Sequence, residues 1–154
     1  MLRQLTEIDI PDLMDLAEQM HSESVYSHYS FYAGQTEYIL RALIQKESCF
    51  SMGYERHGHI VGAFLGEVVP DLWCHVKVAQ DVVFYVHPGF RGSSAGYRLI
   101  QAFEDWSRES GADVIRPVVY AGIDNQGASS VLERMGFAAA GTIHKKDVRE
   151  CASV

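Results

Sequence analysis

Long apolar runs, paired cysteines and basic charge are all scarce in this sequence, and each scarcity removes a class of protein. No apolar stretch of the 154-residue chain approaches the roughly 18 residues that a membrane-spanning helix needs, so no membrane partner is expected. The three cysteines, Cys49, Cys74 and Cys151, are odd in number and widely spaced, which argues against a disulfide framework and a zinc site. Seven histidines occur without a His-x-x-x-His or His-Glu-x-x-His pattern. His57-Gly58-His59 reads as a turn between strands, and no metal is expected. Thirteen Lys and Arg against twenty Asp and Glu leave a formal charge of −7, which disfavours nucleic acid. That balance is compatible with a cationic, amine-bearing partner. Met1-Leu2-Arg3-Gln4-Leu5 lacks the basic-then-apolar layout of a signal peptide, and the expected location is cytoplasmic.

What is present is an ordinary globular composition, 47% hydrophobic and 21% charged, read as a single domain over residues 1–154. Leu2 to Thr6 suggests a short strand. Asp9 is the expected N-cap of a first helix, with Pro11 in its first turn and Leu13, Leu16, Ala17 and Met20 along one face. A second helix is expected over Gln35 to Lys46. Strands follow at Phe50 to Glu55 and Ile60 to Val69, then at Lys77 to His87, apolar from Val82 to Val86 apart from the Tyr85 hydroxyl. Ser94 to Ser110 carries Leu99, Phe103 and Trp106 at helical spacing and ends at Gly111. Val114 to Tyr120 reads as a strand, Asn125 to Met135 as a helix ended by Gly136, and Phe137 to Val148 as one more strand or a pair. The order β-α-α-β-β-β-α-β-α-β is that of a mixed-sheet α/β (α+β) domain.

The informative stretch runs from Phe84 to Ile100. A buried strand leads into the small-residue turn Gly92-Ser93-Ser94-Ala95-Gly96, and the turn opens a helix. The first amides of a helix lack internal acceptors and carry partial positive charge, so small residues there form an anion cradle. Neither Gly-Lys-Ser/Thr nor Gly-x-Gly-x-x-Gly is present, and the common nucleotide-binding loops fit poorly.

The run resembles motif A of the GNAT acetyltransferases, Arg/Gln-x-x-Gly-x-Gly/Ala after a strand ending in Val-x-Pro. Arg91 fits the first position and Gly96 the last, with Ser94 in place of the inner glycine. Asn125-x-x-Ala128 followed by Glu133-Arg134-Met135-Gly136-Phe137 resembles motif B of the same family. The resemblance implies a GNAT-like fold with splayed central strands and acetyl-coenzyme A as co-substrate. It assigns cofactor binding to Phe84, Val86, Arg91, Gly92, Ser93, Ser94, Ala95, Gly96 and Asn125. Pro117 suits a strand that has parted from its neighbour, or an edge.

The implied reaction is direct attack of an amine on the thioester. Asp81 and Glu67 are the candidate bases. The motif B tyrosine is replaced by Leu132, leaving Tyr120 as a substitute proton donor or a packing residue. The segment from His21 to Tyr32 is rich in aromatic and polar groups, and Glu23, Tyr26, His28 and Tyr29 are candidate acceptor-binding residues. The acceptor would be an amine-bearing small molecule or a protein amino group. A homodimer is compatible with the resemblance, and no isolated apolar stripe decides it. Two further readings stand beside the enzyme: a weak or inactive coenzyme A-binding sensor, and an interaction protein without cofactor.

Overall fold

The computed structural model describes residues 1–118, 121–123 and 125–149, with residue 125 described by its backbone alone. Its elements are β1 (Leu2–Gln4), α1 (Ile10–Glu23), α2 (Ala33–Gln45), β2 (Phe50–Arg56), β3 (His59–Pro70), β4 (Lys77–Val86), α3 (Ala95–Glu109), β5 (Val114–Arg116) and α4 (Asn125–Arg134). The strands form one sheet in the order β1-β2-β3-β4-β5, antiparallel until the last pair, β4 and β5, which is parallel. The fold is thus the expected α/β mixed sheet.

Helices cover both faces, which is why β3 is buried from Ile60 to Gly66. On one face α1 and α2 present Leu13, Leu16 and Leu40 to Ala63, Leu65 and Tyr85. On the other, Leu99, Ile100 and Phe103 of α3 meet Phe50, Phe64 and Ala79. The Phe64 and Phe103 rings stack at 4.2 Å between centroids. The Phe103 ring leaves no room for a side chain at Gly66, whose Cβ would lie 2.6 Å from it.

Local chemistry accounts for the element ends. His57 and Gly58 both have positive φ (52° and 82°), as a tight two-residue hairpin turn requires. Helices α3 and α4 close with paired bonds. Ala112 N donates to Ser107 O and Gly111 N to Arg108 O; Phe137 N donates to Leu132 O and Gly136 N to Glu133 O. These are Schellman motifs, with Gly111 and Gly136 in the left-handed conformation. The β3–β4 connection exposes Leu72, Trp73 and the free thiol of Cys74, whereas Cys49 is buried.

Two expectations are corrected. Asp9 stands at the N-cap position of α1 without capping it. Its carboxylate instead accepts from Thr6 N at 2.8 Å and from both terminal nitrogens of Arg3 at 2.9 and 2.7 Å. The strand expected over Phe137 to Val148 is absent, because that segment has no regular structure. Its charged end turns to the α1–α2 connection: Asp147 accepts from Tyr29 Oη at 2.8 Å, Lys145 Nζ lies 5.6 Å from the Tyr26 ring centre, and Arg149 lies over the Tyr29 ring.

Arg3 holds the buried Asp9 carboxyl below its ordinary value of 3.8. A lowered carboxyl contributes stability above its unfolded pKa and loses it as pH falls through the folded one. Asp9→Ala should therefore cost about 2–3 kcal/mol at pH 7 in urea denaturation, with the deficit shrinking below about pH 4.

Candidate functional site

The site begins where two strands stop pairing. The β4–β5 ladder runs from Val78 opposite Val114 to Gln80 opposite Arg116 and ends there. Pro117 has no amide proton to continue it. The next amide, Val118 N, donates to Asp81 Oδ1 at 2.7 Å, so a side chain stands where backbone would otherwise pair. On the other edge of β4, Leu65 opposes Val83 and Gly66 opposes Asp81, which leaves Val82 as an inserted bulge residue. The bulge inverts the strand's alternation. Ala79, Phe84 and Val86 all face α3, while Val83 and Tyr85 face α1.

The parting opens a cleft of about 720 Å³ that passes from one face of the sheet to the other. Phe84, Val86, Gly96, Ile100, Val131 and Met135 line it on the α3–α4 side, and Met20, Tyr85 and Ile123 on the α1 side. Asp81, Val82 and Val118 lie at the gap. Burial raises the Asp81 carboxyl above its ordinary value of 3.8, and the hydrogen bond from Val118 offsets this only in part.

A turn with unused donors closes one end of the cleft. After β4, Gly89 N donates to His87 Nδ1, and Gly92 adopts φ of 80°, a conformation that favours glycine. Helix α3 then starts at Ala95. The amides of Gly92, Ser94, Gly96 and Tyr97 have no protein acceptor among the described residues. Gly92, Ser93 and Gly96 line the cleft. Ser94 and Ala95 stand behind them, with Ser94 Oγ 3.5 Å from Tyr54 Oη and Ala95 buried. Ser94 has φ of −73°, so the backbone here does not need glycine.

Arg91 joins this turn to the opposite layer. Its Nε donates to Val86 O at 3.0 Å, and its terminal nitrogens form a two-pronged pair with Glu23 at 2.9 and 2.7 Å. Tyr85 Oη also donates to Glu23, and the Arg91 guanidinium lies over the Tyr85 ring. Arg91 holds the Glu23 carboxyl below its ordinary value, while burial and the adjacent Glu23 push the Tyr85 phenol up.

Of the residues singled out in the sequence, the structure brings Asp81, Phe84, Val86, Arg91, Gly92, Ser93 and Gly96 to one cleft. Glu67 lies away from the cleft wall, within hydrogen-bond reach of Gln80. Tyr26, His28 and Tyr29 face the segment around Asp147. Tyr120 and the side chain of Asn125 lie outside the described residues. Tyr85, Met20 and the bulge at Val82 were not singled out. Only Tyr85 left a trace in the sequence, as the one hydroxyl in an apolar strand.

Comparison with known proteins places this geometry. The model of the acetyltransferase (GNAT) family matches residues 10–137. No curated protein sequence matches significantly. Among solved structures, a mutant BH1408 protein from Bacillus halodurans is 17% identical with a TM-score of 0.82, covering 97% of this chain and 99% of its own. A Trypanosoma brucei acetyltransferase is 18% identical with a TM-score of 0.70, over 96% of this chain and 99% of its own. AAC(6')-Iy in complex with the bisubstrate analogue CoA-S-monomethyl-acetylneamine is 17% identical with a TM-score of 0.74, over 97% of both chains. These likenesses establish the fold. Among the described residues no helix is long and apolar enough to cross a membrane, and no cluster of three metal-ligating side chains occurs.

The gap itself is testable by stability. Asp81→Asn keeps an acceptor for Val118 N and removes a half-buried charge, so it should be neutral or stabilising at pH 7. Asp81→Ala strands that amide and should cost about 1–3 kcal/mol in urea denaturation. The wild type should also gain stability as pH falls toward the raised Asp81 pKa.

Proposed function

Because the chain belongs to the acetyltransferase (GNAT) family, we propose that it transfers an acetyl group from acetyl-coenzyme A to an amine, by direct attack within a ternary complex. The observation that carries this reading is the two-faced cleft, with unused amides at one end and a half-buried carboxylate at its waist. Two ligands can meet there from opposite faces. The amides of Gly92, Gly96 and Tyr97 would take the pyrophosphate, and small side chains at Gly92, Ser93 and Gly96 keep that approach open. Phe84 and Val86 would flank the pantetheine arm, and the motif B resemblance assigns Asn125 to the same ligand. Acetyl-coenzyme A supplies an activated thioester when bound.

The chain's remaining task is proton handling. An amine attacks only when neutral, and Asp81 at the waist would take its proton. The raised Asp81 pKa makes it a better proton acceptor than an ordinary carboxylate. The departing thiolate would draw its proton from water, since Leu132 packs against the α3-side core at the position of the motif B tyrosine. That replacement also favours a second reading, a module that binds coenzyme A and turns over slowly or not at all.

Titration calorimetry with acetyl-coenzyme A should give saturable one-to-one binding. A Cβ at Gly96 would meet only Phe84 and Val86, both at 3.9 Å, so Gly96→Val should fold. It should nevertheless bind at least about tenfold more weakly, because the branched side chain fills the approach to the amides. With an accepted amine, Asp81→Asn should reduce kcat by about 100-fold and abolish the acid limb of the pH profile. In the wild type that limb should lie above the ordinary carboxylate value of 3.8, activity falling as Asp81 is protonated. Binding without thiol release across a panel of polyamines, aminoglycosides and peptide amines would favour the second reading. Absence of binding at millimolar cofactor would overturn both.

A further inference from the structure

Motif A residues are expected to face the cofactor, yet the side chain of Arg91 is engaged elsewhere. Nε, Nη1 and Nη2 all donate to protein acceptors within 3.0 Å, and the guanidinium face lies 5.3 Å from the Tyr85 ring centre. Glu23, its partner, is the last residue of α1. Two residues on, Val25 N donates to Ala121 O at 2.9 Å, and Ala121 lies on the cleft wall. The approach of Val25 to the next residue, Gly122, is so close that a Cβ there would lie 2.3 Å from Val25 Cγ1. A short path of ion pair, backbone and hydrogen bond thus runs from the phosphate turn to the acceptor side of the cleft.

Both ends of this path are turns outside the helices and strands. Two of the turn's backbone bonds, Arg91 N to Pro88 O and Ser93 N to Phe90 O, are long at 3.3 Å, while Phe90 N to His87 O is 2.9 Å. The segment after α1 is largely exposed from Val25 to Ser30. A ligand that orders one such turn lowers the cost of ordering another that is tied to it.

We infer that Glu23 and Arg91 form a positioning latch through which filling of the phosphate turn orders residues 24–29, so that the cofactor prepares the acceptor side before the amine arrives. Arg91 on this account acts through Glu23 and Val25 and is not a phosphate ligand. The inference rests on the proposed coenzyme A site. Linkage makes the coupling reciprocal, and its expected size is about fivefold or more in acceptor affinity.

The test is hydrogen exchange by mass spectrometry on the full chain, with and without saturating coenzyme A. The variants are Glu23→Gln, Arg91→Gln and the charge-swapped pair Glu23→Arg with Arg91→Glu, with thermal melts to verify folding. In the wild type, coenzyme A should slow exchange both in residues 89–96 and in 24–29. In either single variant, protection should persist in 89–96 and vanish from 24–29, and the swapped pair should restore it. Wild-type protection confined to 89–96, or undiminished protection of 24–29 in Glu23→Gln, would overturn the latch. Loss of coenzyme A binding in Arg91→Gln alone, with Glu23→Gln binding as wild type, would make Arg91 a phosphate ligand instead. No protection anywhere in the wild type would remove the coenzyme A site itself, and the latch with it.

Discussion

The functional half of this molecule depends on one interrupted ladder. Parallel strands of an α/β sheet ordinarily pair along their length, and among the described residues β4 and β5 do so for three. Pro117 removes the next donor, and the Asp81 carboxylate takes up the donor after that. The wedge has a mixed cost. It satisfies an amide that the parting would strand, but it half-buries a carboxyl that no arginine pairs with among the described residues. The bulge at Val82 completes the arrangement by setting Phe84 and Val86 on one face of the gap and Tyr85 on the other.

Three half-buried or buried carboxylates illustrate how surroundings divide the labour of one chemical group. Asp9 and Glu23 each grip an arginine in a two-pronged pair, and both titrate low. Their charge is committed to joining elements, β1 to α1 in one case and the turn before α3 to α1 in the other. Asp81 has backbone amides for company, and burial wins, so its carboxyl titrates high. A proton acceptor needs that disposition, whereas a structural tie needs the opposite one.

Much of this was legible in the sequence because it is local. The small-residue turn after an apolar strand, the glycines that end α3 and α4, the hairpin at His57-Gly58 and the proline that halts β5 each act within a few residues of themselves. What escaped is non-local or cryptic. Arg91 and Glu23 are 68 residues apart and read as ligands for two different molecules. The Val82 bulge sits inside a run apolar on both sides, where a lost alternation leaves no mark. The final strand read from Phe137 to Val148 carried a strand-compatible pattern. Strands need a partner, however, and this segment spends its charged end on the tyrosines and histidine of the α1–α2 connection.

The exposed tip between β3 and β4 has a practical chemical meaning. Cys74 is a free thiol open to solvent, and its neighbour Asp71 accepts its hydrogen bond and raises its pKa. Cys49 is sealed in the interior. A disulfide reagent used to count released coenzyme A would therefore titrate the protein as well, through a thiol made sluggish by the carboxylate beside it. A maleimide at that same sulfur would remove its contribution and leave the cleft wall untouched, since Cys74 is no part of it.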